Sequence, residues 1–397
     1  MRTSPDKSSD HERQDREFER LYRTIPNYRV TQNADDTEKT NMKDDFEQPR
    51  PEKPRWKKVV HRLLIILAIL LALAGLWLGV KFASNIIKVF GWGGIKDIFR
   101  SEKLRGEDQG RVNILLAGNS ADDTGHSGAD LTDSIMIVSM NTNGKNGYIL
   151  SIPRDLYVDI PGSGYAKINE AYQDGKRKKF SEADYPDGGM GLLQKTITER
   201  FGINIHYYAL VNYTALQQAV DAVGGITITI ESSDPRGLYD PSPDLKNGRK
   251  ALVKLPNGQV TLDGRTALNL ARARGNARGS YGYAQSDFTR TEHQRKILIG
   301  LKDKATSAST LSNPVKLSQL FDSMGNNIET NFKTSEIRRL YDLSKEIPTE
   351  TLKSVSLNDA NGKNLLASYR TRSGQSALVP AAGIDDYTAI QAFITGL

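Results

Sequence analysis

At 397 residues, with a formal net charge of +7 and 38% hydrophobic residues, the chain has room for a tail, an anchor and one or two domains. The absence of cysteine excludes disulfides, iron–sulfur clusters and thiolate zinc sites, and the five histidines are scattered with no HExxH pair among them. A basic balance suits nucleic acid, an anionic polymer and an anionic membrane surface equally, so charge alone selects no partner.

Residues 1–58 are rich in Asp, Glu, Lys, Arg, Asn and Pro and lack apolar periodicity. Such a stretch cannot bury enough surface to offset chain entropy and is expected to be a disordered tail. Leu63 to Val80, LLIILAILLALAGLWLGV, then runs for eighteen residues without a charge. As a helix it reaches about 27 Å, enough with its flanks to cross a hydrocarbon core of roughly 30 Å. A buried core helix of that length would keep a polar face, and a cleaved signal peptide would not follow so long a polar stretch. A transmembrane helix is therefore expected over 63–82. Arg50, Lys53, Arg55, Lys57, Lys58 and Arg62 precede it against the single acid Glu52. The positive-inside rule thus puts the tail in the cytoplasm and the rest of the chain outside, with Lys81 and Lys88 weighing slightly against. Residues 83–108 read as a juxtamembrane connector, interrupted by Gly91, Gly93 and Gly94.

From about residue 109 to 397 the pattern is that of an α/β domain. VNILLAG, SIMIVSM and YILSIP read as short buried strands, the last two joined by the turn-rich NTNGKNG. GGMGLLQKTITERFG is a helix closed by Gly202, IHYYALVN a strand, YTALQQAVDAV a helix ending at Gly224-Gly225, and GITITIE a further strand. After a Pro/Asp/Gly-rich excursion from Ser232 to Asn257 come a short strand, the helix LDGRTALNLARA and a long helix from Asp287. Residues from about 308 onward add two helices and a strand near Leu352 to Leu357. Strands alternating with helices argue for a sheet covered on both faces. No internal repeat occurs.

No GxxxxGK[ST] loop or GxGxxG fingerprint is present, and GHSG at 125–128 falls one residue short of a GxSxG elbow. What remains is a set of arginines and aspartates at element ends. ALNLARARGNARG gathers Arg272, Arg274 and Arg278 without an acid, with Arg265, Arg290 and Arg295 nearby in sequence. Guanidinium groups repel one another, so their gathering points to an anion held between them. In SDFTRTEHQRKILIGL, Asp287, Arg290 and Gln294 fall at i, i+3 and i+7 and continue into the apolar Ile297, Leu298 and Leu301. That stripe should face inward throughout, its polar end opening into a cleft where Asp287 orients Arg290; the plain alternative is a solvated ion pair. Asp133-Ser134 introduces one strand and Arg154-Asp155 closes another, at strand ends where α/β sheets bind ligands. Pro-Arg-Asp is equally a turn signal, and Lys167 and Asn169 in YAKINEAY equally suit a solvated helix start.

ILLAGN, TDSIMIVS, SIPRD, KINEAY, AVGGI, LDGRTALNLARAR and DFTRTEHQ, in this order and spacing after one anchor, resemble the LytR-CpsA-Psr family from about Arg111 to about Leu301. The resemblance implies a three-layer α/β/α extracytoplasmic domain with a central mixed sheet. It implies transfer of a glycopolymer, teichoic acid-like, from a polyprenyl-pyrophosphate carrier to peptidoglycan at the outer face of the cytoplasmic membrane, with Mg²⁺ or Mn²⁺. By the same resemblance Asp133 binds the metal, while Arg154, Arg272 and Arg274 contact the pyrophosphate. Asp287, Arg290 and Gln294 match the polar helix start that completes the site, and Lys167 and Asn169 match a substrate-side motif. Apart from the resemblance, Asp155 beside Arg154 is a candidate to orient it or to assist the nucleophile. The chain departs from the family at Ser120, where an acid is usual, and at Leu131 and His293, where arginine is frequent. The second metal acid then falls to Asp122 or Asp123. Nucleic acid is not expected, because the arginines lie across the membrane from it. A pyrophosphatase acting on the same lipid, or a non-catalytic receptor for anionic glycan, stands as the alternative.

Overall fold

In the computed structural model, residues 101–122, 128–244, 250–284, 287–308 and 327–397 are described. The expected tail, the 63–82 helix and most of the connector lie outside them. Among the described residues no helix is long and apolar enough to cross a membrane.

The chain enters through β1 (Arg111–Gly118), β2 (Ser134–Asn141) and β3 (Asn146–Ser151), the two latter joined by the expected turn. A hairpin follows, β4 (Tyr157–Ile160) and β5 (Gly164–Lys167), then α1 (Glu170–Lys178), α2 (Gly188–Phe201), β6 (Tyr207–Val211) and α3 (Tyr213–Ala222). Next come β7 (Ile226–Ile230), β8 (Leu238–Asp244), β9 (Lys250–Leu255), β10 (Gly258–Leu262), α4 (Gly264–Arg272) and α5 (Asp287–Ala305). The last stretch holds β11 (Ile328–Thr330), α6 (Thr334–Glu346), β12 (Leu352–Ser356), β13 (Leu366–Arg370), β14 (Ser376–Pro380) and α7 (Thr388–Thr395).

The central sheet is mixed, in the order β11-β6-β1-β2-β3-β12. Strands β6, β1, β3 and β12 run parallel to one another, and β2 and β11 run against them. Alternation along the strands divides the core between the two faces. Leu115 and Ala117 of β1 join a cluster with Leu192 and Ile197 of α2 and Ile390 of α7. Val112 and Ile114 join a second with Leu343 of α6 and Ile347. A third cluster ties α3, β7, β10, α4 and α5 together through Val220, Ile228, Leu262, Leu270 and Ile297. Two of the helices start at side-chain caps. Asn212 accepts the Ala215 N–H at 2.8 Å before α3, and Asp263 accepts that of Thr266 at 2.7 Å before α4.

The strand expected at GITITIE forms but stands outside the central sheet. Its burial alternates along Ile226–Ile230, and among the described residues it pairs with β10 alone, the register matching Thr227 with Thr261. A strand with one dry face suits a two-stranded ribbon, whereas central strands such as Asn146–Ser151 are buried on both faces. The Ser232–Asn257 excursion contains the β8–β9 hairpin, and the β4–β5 and β13–β14 hairpins were also not anticipated. For β4–β5 the signal was present in Pro161-Gly162-Ser163-Gly164, whose two glycines take φ of 69° and 78°. The end of the connector also belongs to the packed domain. Leu104 is buried, Arg105 N donates to Tyr207 Oη at 2.8 Å, and Glu107 pairs with Arg339.

Candidate functional site

The β2–β3 register decides where the site sits. Met136 pairs with Ser151, so three residues outward the antiparallel count sets Asp133 against Arg154. Arg154 Nη1 donates to Asp133 Oδ1 at 2.6 Å across that gap. Gly118 at the end of β1 pairs with both Ser134 and Val211, which brings the start of α3 to the same edge. This is the carboxyl end of the parallel strands, where open α/β sheets place ligands.

The arginines converge on this edge from three elements. Arg290, in the second turn of α5, is buried and holds Asp287 at 2.9 Å, with its Nη2 3.4 Å from the backbone oxygen of Asp133. Arg274, just past α4, reaches the same Asp287 at 3.3 Å. Arg272 ends α4 with its guanidinium 4.8 Å from the ring centroid of Tyr213. At the rim, Lys167 Nζ donates to Asp155 Oδ1 at 2.7 Å, and Asp155 Oδ2 lies 3.7 Å from Arg154 Nε. Arg154, Arg272, Arg274, Arg290 and Lys167 outnumber Asp133, Asp155 and Asp287 by two charges, the charge carried by a pyrophosphate diester.

Electrostatics follow from this crowding. Burial opposes the charge on Arg154, but Asp133, by charge and hydrogen bond, with Asp155 and Asp287, lifts its pKa above the usual value. Burial pushes Arg290 down to about 10; Asp287 resists this, while Arg274 and Arg154 add to it. Arg290 stays charged at neutral pH, held in place against its arginine neighbours. Nine buried side-chain polar atoms among the described residues lack a hydrogen-bond partner, and three lie here: Arg154 Nε, Arg290 Nε and Asn169 Oδ1. An unpartnered buried donor costs roughly 1–3 kcal/mol, so two guanidinium N–H groups left over at one spot favour an incoming acceptor.

Behind the charges lies a cavity of about 680 Å³. Asp133, Arg154, Arg272, Arg274 and Arg290 stand on its wall together with the apolar Leu116, Met136, Leu216, Leu268, Leu298 and Leu301. The α5 stripe supplies both halves, as its period implied: Arg290 and Gln294 are followed by Ile297, Leu298 and Leu301 along the same lining.

Other candidates fall into place less directly. Gln294 lines the cavity, but its amide is engaged on both sides. Ser134 Oγ donates to its Oε1 at 2.9 Å, and its Nε2 donates to Ala271 O at 2.9 Å. It ties the end of α4 to the start of β2. Asn169 braces the strand ends: its backbone oxygen accepts from Thr132, and its Nδ2 lies 3.5 Å from Asp133 Oδ1. Asp122 gives both carboxylate oxygens to backbone N–H groups of α3, Tyr213 at 3.2 Å and Thr214 at 2.6 Å. Asp123 lies outside the described residues. Arg295 turns away from the cavity; its Nη1 donates to Ser151 Oγ at 2.8 Å and its Nε to Ser354 Oγ. Arg265 stands at the opposite end of α4 from Arg272, and Arg278 is exposed. His293 is buried with its ring edge-on to Tyr283, and burial pushes its pKa down to about 4, so it brings no charge where the related pattern has arginine.

Two features escaped the sequence reading. The apolar depth of the cavity did, beyond the cleft expected at the polar end of the α5 stripe, although the apolar continuation of that stripe was its signal. So did Asp240, which is buried and accepts the Gly275 N–H at 3.0 Å, fixing the turn immediately after Arg274.

The LytR_cpsA_psr family model matches residues 95–378. The chain is 32% identical over 291 residues, covering 70% of this chain and 78% of the relative, to a protein of Oceanobacillus iheyensis named polyisoprenyl-teichoic acid–peptidoglycan teichoic acid transferase TagU. It is 29% identical over 292 residues, covering 72% and 81%, to the similarly named TagT of Bacillus subtilis. The crystal structure of Bacillus subtilis TagT shares the fold, with a TM-score of 0.51 at 23% identity over 75% of this chain and 92% of that one. With the motifs standing in order along the chain and the arginines and aspartates they carry meeting at one sheet edge, this chain belongs to the LytR_cpsA_psr family.

Proposed function

We propose that the chain is a membrane-anchored phosphotransferase that moves a teichoic acid-like glycopolymer from a polyprenyl-pyrophosphate carrier to peptidoglycan. One observation carries the reading: a cavity with an apolar interior opens beside a cluster of guanidiniums in which two buried N–H donors lack acceptors. That pairing suits an amphiphile with a diphosphate headgroup and a hydrocarbon tail. The names of the relatives support the same substrate class.

In this reading Arg154, Arg274 and Arg290 hold the pyrophosphate oxygens, each guanidinium fork meeting two at once without losing its proton. Arg272, based on Tyr213, closes the mouth. An acceptor hydroxyl attacks the sugar-side phosphorus and forms a new P–O bond. The bond to the bridging oxygen breaks, its electron pair leaves with polyprenyl phosphate, and the hydroxyl proton passes to Asp155 or to water. Fixed guanidiniums aimed at the bridging oxygen and leaving phosphate stabilise charge as it develops there.

For a divalent cation the donor set is lean but suitable. Among the described residues no group of three His, Asp or Glu side chains could hold a metal, and Asp122 is committed to α3. Asp133 and the unpartnered Oδ1 of Asn169 remain as adjacent hard oxygens. Mg²⁺ is commonly held by one or two carboxylates plus substrate phosphates and water, which fits such a set. When bound, it would supply further positive charge at the phosphates. Purified protein given lipid-linked glycan, peptidoglycan and Mg²⁺ should release polyprenyl phosphate in step with glycan attached. Asp133→Ala should raise the Mg²⁺ needed for half-maximal rate at least tenfold; wild-type turnover indifferent to EDTA would remove the metal from the account. Release without attachment would make the protein a pyrophosphatase.

The chemistry belongs outside the cell, and the basic flank from Arg50 to Arg62 supports that orientation. Protease added to intact cells should then degrade the domain from Arg111 to Leu397, and complete protection would reverse the topology.

A further inference from the structure

Next to the cavity mouth runs a row of tyrosines that the donor site does not use. On β4 and β5 the register sets Tyr157 opposite Lys167 and Asp159 opposite Tyr165. Paired residues share a face and alternate ones point the other way, so these four lie together on the outer side, while Val158 and Ile160 are buried beneath. Tyr157 stacks on Tyr165 at 5.7 Å between centroids and on Tyr369 of β13 at 5.5 Å, with interplanar angles of 27° and 28°. Among the described residues, Tyr165 is the large hydrophobic side chain left exposed, at 45%.

The row is fixed to the catalytic edge. Lys167, opposite Tyr157, is the same residue that donates to Asp155. The β13–β14 hairpin that carries Tyr369 is pinned there as well, since Leu378 N donates to Asp155 O at 3.0 Å. Polar groups flank the rings. Tyr165 Oη donates to Asp385, and Arg200 Nη2 donates to Asp159 Oδ2 at 2.9 Å.

We propose that this row binds the acceptor, a polysaccharide strand of pyranose sugars, and leads it to Asp155. The inference rests on the transferase reading and names where its second substrate lies. Each tyrosine joins an apolar ring to a hydroxyl, which matches a sugar that has an apolar C–H face and a hydroxyl edge. Asp159, Asp385 and Arg200 add acceptors and donors for that edge. A hydrocarbon chain would find no use for the phenols and carboxylates, and a nucleic acid strand would meet Asp159 and Asp385 as repulsive charges. An acceptor held along the row would have its hydroxyl positioned beside the pyrophosphate, which is how binding away from the reacting atoms speeds a two-substrate transfer.

The test uses the full-length protein in detergent and peptidoglycan glycan strands stripped of their stem peptides. Titration calorimetry should detect binding of these strands to the wild type. Tyr165→Ala, at an exposed position that leaves Val158 and Ile160 packed, should weaken it at least tenfold, and Tyr165→Trp should restore most of it. In the two-substrate assay, Tyr165→Ala should raise the acceptor KM with little change in kcat. Stripped strands that fail to bind the wild type, or that bind Tyr165→Ala as tightly, overturn the acceptor row. If the wild type binds strands yet releases no polyprenyl phosphate, the transferase reading fails and the glycan site stands. If release proceeds normally but strand binding ignores Tyr165, the reverse holds.

Discussion

Leu298→Glu is expected to lower kcat/KM for a long-chain polyprenyl-pyrophosphate donor at least a hundredfold while leaving the fold intact. Leu298 is partly exposed and lines the cavity, so its replacement fills a space rather than breaking packed core. A carboxylate there must be desolvated or protonated when a hydrocarbon chain enters, and the chain loses an apolar neighbour. A hundredfold is about 2.7 kcal/mol, comparable to burying one leucine side chain together with part of a desolvation penalty. The loss should shrink as the lipid is shortened, because each methylene that no longer enters the cavity removes about 0.8 kcal/mol of what the carboxylate opposes. Steady-state kinetics with donors of two chain lengths, alongside thermal melts, checks this. An equal loss with a donor too short to enter the cavity would mean that it is not the lipid site.

What the sequence made legible, and what it hid, has physical reasons. The α5 stripe was readable because a period of 3.6 places Asp287, Arg290 and Gln294 on one side, and Arg290 does hold Asp287 and face the cavity. The same arithmetic could not separate a side chain that fills a core from one that lines a void, so Ile297, Leu298 and Leu301 read as packing. The strands β1, β2, β3 and β6 were readable as runs of apolar residues, because burial on both faces leaves no alternation. Counting outward from the NTNGKNG turn would have set Asp133 against Arg154. Sequence offered no means of seeing that Asp122 spends both oxygens on α3, since that depends on β1 delivering it to a helix some ninety residues later. Gln294 lies on the expected stripe and lines the cavity, but its partners, Ser134 and Ala271, come from elements that only tertiary folding brings together.

The second large effect concerns the guanidinium forks. Arg290 is buried, holds Asp287 and leaves its Nε–H without an acceptor. Lysine at 290 would keep the charge, but its single ammonium cannot serve Asp287 and two phosphate oxygens together. Removing one such donor from a preorganised charge-stabilising set typically costs about 10²–10³ in rate, so Arg290→Lys should fall at least a hundredfold. Arg274 shares Asp287 from a less buried position and Arg272 rests on Tyr213, so Arg274→Lys and Arg272→Lys should each lose at least tenfold, about 1.4 kcal/mol. A loosely organised basic patch predicts otherwise, because there lysine serves nearly as well and any residual deficit fades with salt screening.

The measurement that bears most directly on this is polyprenyl-phosphate release by Arg290→Lys, Arg274→Lys and Arg272→Lys, at low and high salt. Arg338→Lys, on the exposed face of α6 where it pairs with Asp342, serves as control. A pyrophosphate clamp predicts the stated losses at both salt concentrations, with the control unchanged. Release near the wild-type rate in all three site variants would contradict it.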